Sequence, residues 1–273
     1  MTKKERIKYS ETYKRQMNKF ERRYTPAVYK ALQSQIREYT IVLRQEGLEA
    51  AKRKLNDLAF NEKMFPVIKD MYRTVGLFYA NQEYGQLRQQ IKDRKKGFGF
   101  NAEWIAELIR YFTVDLLNKA VLPISATTRE QVRQILEQAS TEGWGVDQTV
   151  RALQSSDLTL WRARMIVRTE TQKAAFKGRK MGADKIEYAT TTEWIAANDH
   201  RTRHSHRRVD GDVVDPYQKF KVPVFRGDLQ IGEESMEGPG DPKASAGNVI
   251  NCRCTSAAKI KYDERGEPIM RRL

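Results

Sequence analysis

Cysteine is nearly absent from this chain, with two residues in 273, Cys252 and Cys254. So few cysteines exclude a disulfide framework. A bridge across their single intervening residue would close a very tight ring and constrain little of the unfolded chain. The expected setting is a reducing cytoplasm. Long apolar runs are missing too. The longest, such as Tyr39-Thr40-Ile41-Val42-Leu43, are far too short to span a bilayer. No apolar stretch follows the basic opening Met1-Thr2-Lys3-Lys4-Glu5-Arg6, so no secretory signal is expected. Acidic residues are outnumbered 35 to 50, which leaves a formal net charge of +15. That excess favours a polyanionic partner, nucleic acid first, against the plainer readings of a solvated surface or one that meets an acidic protein. Aromatic residues do not interleave with the basic ones, so the charge points to sequence-independent phosphate contact and not to base stacking. Internal repeats and low-complexity segments are also lacking.

Helical periodicity dominates the first half. Residues 3–23 are dense in Lys, Arg and Glu with few apolar positions, which predicts an exposed helix or an arm that orders on a partner. Its Lys3, Lys4, Arg6, Lys8, Lys14 and Arg15 are candidate contacts to DNA or to a protein partner. Thr25-Pro26 reads as a helix start. The helix beyond carries Val28, Leu32, Ile36 and Tyr39, with Gly47 as its stop. A short helix from Leu48 carries Ala51, Leu55 and Leu58. Residues 62–92 give a further helix, with Pro66 in its first turn. The basic, Gly-containing stretch 92–100 reads as a loop, whose Arg94, Lys95 and Lys96 are further candidate phosphate contacts. Asn101 reads as the cap of the next helix, and Pro123 as the end of that region. Thr127 and Glu130 form a capping-box pair ahead of Val132 and Leu136. Gly143-Trp144-Gly145 predicts a turn, Val146 to Leu153 a short helix, and Leu158 to Met181 a long one stopped at Gly182.

After Ile186 the period falls to two. Tyr188, Thr190, Thr192 and Trp194 predict a strand, with further strands expected near Phe220 to Phe225 and Val249 to Thr255. The fold class expected is α+β: a helical, charged, partner-docking region over residues 1–122, then a compact module over 123–273 with helices packed on a small, mainly antiparallel β-sheet.

Chemistry-bearing residues concentrate in that module. Arg168-Thr169-Glu170, Asp199-His200-Arg201-Thr202-Arg203, His206, Asp210-Gly211, Pro239-Gly240-Asp241-Pro242 and Asn251-Cys252-Arg253-Cys254 follow one another in that order. The series resembles the phage head morphogenesis, or phage Mu F-like, minor head proteins, over roughly residues 125–257. The resemblance implies a structural, non-enzymatic role in a tailed-phage head: a minor head (minor capsid) protein associated with the portal or inner capsid, acting in head assembly or DNA delivery. It implies a virion component made in the host cytoplasm, whose partners are the portal protein and/or major capsid protein and double-stranded DNA without sequence preference, with no membrane. His200 and His204 beside His206 leave the working imidazole open.

Two readings of the residues stand side by side. His206, Cys252 and Cys254 offer three ligands of the type zinc prefers, with Asp199, His200 or His204 as a fourth and Asp210 as acceptor behind the imidazole. On that reading a structural zinc is the one cofactor. In a strand, Cys252 and Cys254 would share a face. The alternative is a reduced, buried pair behind a hydrogen-bonded cluster of Glu170, Asp199, Arg201, Arg203, His206 and Asp210, in which Asp199 pairs with Arg201 and Arg203. Asp210-Gly211 and Pro239-Gly240-Asp241-Pro242 read as turns. A metal-dependent nuclease, with His206 as base and Asp199 or Asp210 on the metal, is the enzymatic alternative. It lacks a paired-carboxylate motif and a nucleophile elbow. A host nucleic-acid-binding protein is the other alternative.

Overall fold

The computed structural model describes residues 1–55, 63–91, 106, 110, 120–155, 160–215 and 217–271. Among these the helices are α1 (Lys3–Glu46), α2 (Leu48–Lys54), α3 (Met64–Gln90), α4 (Leu122–Glu142), α5 (Val146–Leu153), α6 (Arg162–Asp184), α7 (His204–Arg208) and α8 (Ala246–Val249). The strands are β1 (Thr190–Ile195), β2 (Val213–Val214), β3 (Phe220–Arg226), β4 (Leu229–Met236) and β5 (Thr255–Ile260). Helices come first and small antiparallel sheets after, the α+β class expected. Arg94, Lys95, Lys96, the Asn101 cap and Leu58 lie outside the described residues. No described helix is long and apolar enough to cross a membrane.

Two compact units divide the chain. The first comprises Met1–Phe20, Tyr72–Ile109 and Thr171–Leu273, the second Glu21–Met71 and Arg110–Glu170. Helices α1, α3 and α6 each contribute to both.

In the second unit, Ile36, Tyr39, Leu43, Ala51, Leu55, Val132, Leu136, Val150 and Leu153 form the core. Arg168 holds Glu21 through Nε at 3.1 Å and Nη2 at 2.9 Å, which accounts for the arginine of the Arg168-Thr169-Glu170 motif. Pro26 does not start a helix: it lies inside the 44-residue α1. The Thr25 hydroxyl does not cap either, but donates to the Glu21 carbonyl one turn back at 2.6 Å. An interior proline costs about 3 kcal/mol. Tyr24, Val28 and Leu32 are buried around it, and at about 1.5–3 kcal/mol for each large apolar side chain that burial outweighs the lost bond. Pro123 likewise sits in the first turn of α4 and opens that helix. Thr127 is therefore interior, with its hydroxyl on the Pro123 carbonyl at 2.9 Å. The turn at Gly143-Trp144-Gly145 is as expected, with Gly143 left-handed at φ 66°.

In the first unit, α6 crosses α3 at very short range. A Cβ on Gly178 would stand 2.2 Å from the Gly76 carbonyl oxygen, and one on Gly182 2.4 Å from that of Ala80. Gly182 is therefore a point of close approach, not a stop, and α6 runs on to Asp184. The opening of α1 is no free arm. Ser10, Tyr13 and Met17 are buried, and the Arg179 guanidinium faces both the Tyr13 and Tyr79 rings, 4.6 and 4.8 Å from their centres. Burial of these few side chains, spaced three and four apart, decides the matter against the helix's high charge.

Strands β2, β1 and β5 form one antiparallel sheet in that order, with Thr192 opposite both Val214 and Ala258. Side chains of α3 satisfy the outer edge of β5. Glu83 accepts from the Ala258 N–H and Gln90 from the Ile260 N–H, each at 2.9 Å. Edge groups that would otherwise template strand addition are thereby paired. Strands β3 and β4 form a separate hairpin. The strand expected near Phe220 is β3. Its partner β4 escapes the sequence pattern, because Gly232-Glu233-Glu234 breaks the alternation. The strand expected over Val249 to Thr255 is displaced. Residues 246–249 are helical, Asn251 is left-handed at φ 61°, and β5 starts at Thr255. A left-handed residue cannot continue a strand.

Candidate functional site

Strand β1 ends in the first unit's core, where Trp194, Ala196 and Ala197 pack with Val209, Phe220, Val249, Cys252 and Cys254. The chain then turns at Asn198, φ 52°. Asp199 fixes the turn: its Oδ1 accepts from the Arg201 N–H at 3.0 Å and the Thr202 hydroxyl at 3.2 Å. The cation on Asp199 is neither Arg201 nor Arg203 but Arg253, whose two terminal nitrogens reach the two carboxylate oxygens at 2.8 and 2.9 Å. Arg253 separates the two cysteines in sequence and is partly exposed while both of them are buried. Arg203 instead donates to the Ile250 carbonyl, and the Arg201 residue is exposed. Burial raises the Asp199 carboxyl, but Arg253, the Arg201 N–H and the Thr202 hydroxyl together outweigh it and hold the carboxyl below its usual value.

Helix α7 carries His206 inward to 1% exposure, while His200 and His204 are exposed. Of the three histidines, His206 alone is buried. Its Nδ1 lies 3.6 Å from the Cys252 Sγ and 3.4 Å from the Cys254 Sγ. Both cysteines are free and 2% exposed. They lie in the segment before β5 and not in a strand, yet their sulfurs still converge on one nitrogen. The Trp194 ring packs edge-on against the imidazole at 5.2 Å. Behind the imidazole stands Asn248, with Oδ1 3.2 Å from Nε2. The Asn248 amide donates to Glu234 Oε2 at 2.6 Å, and the Ser245 hydroxyl donates to the same oxygen at 2.7 Å. Burial raises the Glu234 carboxyl, but these bonds and the Ser245 N–H hold it below its usual value, so it is ionised.

This chain of partners orients the imidazole. An ionised carboxylate only accepts, so Asn248 must present its amide nitrogen to Glu234 and its oxygen to His206. His206 Nε2 then donates to Asn248 Oδ1, and Nδ1 faces the two sulfurs. The thiols titrate as a pair. The hydrogen bond from Cys254, with His206 adding to it against burial, holds the Cys252 thiol well below its usual value. The same bond and burial push Cys254 well above.

Asp210 is not the acceptor behind the imidazole. Its Oδ1 accepts from the Ala196 N–H at 2.8 Å and its Oδ2 from Arg6 Nε at 3.3 Å. Glu170, expected in the cluster, is buried and belongs to the second unit. Gly211 is left-handed at φ 92°, the turn expected of Asp210-Gly211. In the Pro239-Gly240-Asp241-Pro242 turn, Asp241 accepts from the Glu237 and Lys243 N–H groups, each at 2.9 Å. Sequence reasoning misses Asn248, Glu234 and Gln172. Gln172 of α6 donates to the Cys254 carbonyl at 2.7 Å and accepts from the Tyr13 hydroxyl at 2.7 Å. The only signal for Asn248 is its place four residues before Cys252. Of the basic residues expected as contacts, Lys3, Lys4, Lys8 and Arg15 are exposed. Arg6 is engaged by Asp210, and by Glu193 at 3.6 Å, and Lys14 by the Ala197 carbonyl at 3.0 Å.

A thiol, an imidazole and an Asn amide in line match the parts of a cysteine-nucleophile site. At 2% exposure neither sulfur can meet a substrate while the module is closed. The arrangement suits a fixed, enclosed cluster.

A profile of the family described as Phage Mu protein F like protein matches residues 130–257. The chain is 29% identical over 126 residues to the Minor head protein GP7 of Bacillus phage SPP1, an alignment that covers 45% of this chain and 38% of that relative. The chain therefore spans well under half of that relative's length. No solved structure matches significantly.

Proposed function

We propose, from the match of residues 130–257 to the Phage Mu protein F like family, that the chain is a structural minor head protein of a tailed phage. On this reading it sits in the virion at the portal or the inner capsid and acts in head assembly or DNA delivery. On the same reading residues 123–273 supply a braced module and residues 1–122 dock on the portal protein or the major capsid protein. The observation that carries the reading is how the module's polar groups are used. Asp199 is taken by Arg253, Asp210 by Arg6 and a backbone N–H, and His206 is enclosed by two sulfurs, a Trp and an Asn. A nuclease needs those same carboxylates and that base open to a phosphodiester. The net charge of +15 and the exposed Lys3, Lys4, Lys8 and Arg15 support a sequence-indifferent contact with packaged DNA.

The test is mass spectrometry of purified virions together with pull-down on a portal protein. The chain is expected in the virion and on the portal or capsid; its absence from both would end the assignment. Incubation with duplex DNA and Mg²⁺ or Zn²⁺ separates the enzymatic alternative. Cleavage that disappears in His206→Ala would move the chain to the nucleases.

A further inference from the structure

From the geometry around His206 we infer that His206 Nδ1, Cys252 Sγ and Cys254 Sγ hold one zinc ion. The two cysteines and the histidine are the only described group of three or more His, Cys, Asp or Glu placed to share an ion, with their ligand atoms all within 4.8 Å of one another. The distances fit the metal. Zn–S of about 2.3 Å and Zn–N of about 2.05 Å at a tetrahedral angle place sulfur and nitrogen about 3.6 Å apart. The two sulfurs here stand 3.6 and 3.4 Å from Nδ1.

The hydrogen bonds behind the imidazole are those of a metal-bound histidine. Glu234 orients Asn248, and Asn248 holds the proton on Nε2. Nδ1 then faces two sulfurs at once. A metal-bound histidine takes this form, with its second nitrogen donating to an oxygen that is itself held in place. Two thiolates and a neutral imidazole around Zn²⁺ sum to zero charge, which suits a site beside Trp194 and Val249. No fourth described His, Cys, Asp or Glu joins the group. Gln172 of α6 holds the Cys254 carbonyl, and Arg253 holds Asp199 in the turn before α7. In this arrangement the ion joins the segment before β5 to α7.

The test uses the full-length, tag-free chain. Elemental analysis should give one zinc per chain, falling at least tenfold in Cys252→Ser and Cys254→Ser. Replacement by Co²⁺ should give a thiolate-to-cobalt band in the near ultraviolet and the intense visible bands of a four-coordinate ion. Because the serine variants can unfold, Asn248→Leu provides a second measurement. It keeps all three ligands, and its zinc affinity by chelator competition should fall about 10- to 100-fold with the far-ultraviolet circular dichroism unchanged. Wild-type chain without zinc, and without a thiolate band on stoichiometric Co²⁺, would overturn the inference. Zinc retained in a folded Cys252→Ser or Cys254→Ser chain would do the same. These readings are taken on the isolated chain, so they fail or succeed independently of virion incorporation.

Discussion

Alanine at Gly178 sets two known effects against each other, and the packing of α6 on α3 decides the sign. In an exposed helix interior, Gly→Ala stabilises by about 1 kcal/mol through backbone entropy. At Gly178 the added Cβ would stand 2.2 Å from the Gly76 carbonyl oxygen, where ordinary contact begins at 3.4 Å. Backbone stands on that side, so relief requires the two helices to separate. Overpacking of this kind costs about 1–3 kcal/mol, and a rigid neighbour puts it at the upper end. The net expectation is a loss of about 2 kcal/mol. Gly85 is the control: it lies inside α3, and a Cβ added there would meet nothing within 4 Å, so Gly85→Ala should gain up to about 1 kcal/mol. The two variants should then differ by about 3 kcal/mol, or roughly 6–12 °C in Tm for a chain of this size. Urea denaturation and thermal scans read both. If Gly178→Ala matched Gly85→Ala in sign, the close crossing of α3 and α6 in the first unit would be wrong.

Asp199→Asn removes the carboxylate held by Arg253, and its effect should depend on pH. The folded carboxyl lies below its ordinary value of 3.8, so its contribution is complete above that value and is lost as pH falls through the folded value. Denaturation midpoints of wild type and Asp199→Asn should differ at pH 6 and converge toward pH 2; a constant gap would show that the ionised Asp199 is not the stabilising form. For DNA, alanine at Lys3, Lys4, Lys8 and Arg15 together should reduce the slope of log affinity against log salt by about 3.6, at about 0.9 per lost phosphate contact. An unchanged slope in a gel-shift series would remove that face as the DNA contact.

Much of this molecule follows from local pattern. Three- and four-residue spacing marks α1, α3, α4 and α6, and alternation marks β1. Asp210-Gly211 and the Pro239–Pro242 stretch announce their turns, because only a few residue types tolerate a left-handed backbone. The nearness of His206 to Cys252 and Cys254 is legible from residue type and order alone. Pro26 and Gly182 mislead because each is a local signal worth about 1–3 kcal/mol, smaller than the burial or close packing that overrides it. The strand expected over the cysteines fails at Asn251, where one left-handed residue moves β5 beyond them.

The amino-acid sequence by itself determined the helical periodicity of the first half, the two lone thiols and the basic charge. Tertiary structure alone decided which groups pair: Arg253 with Asp199, Arg6 with Asp210, and Asn248 with His206 in place of Asp210. The physical reason is range. Helix periodicity acts over four residues, whereas these partners lie 54, 204 and 42 positions apart. Nothing short of the folded chain brings them within reach of a hydrogen bond.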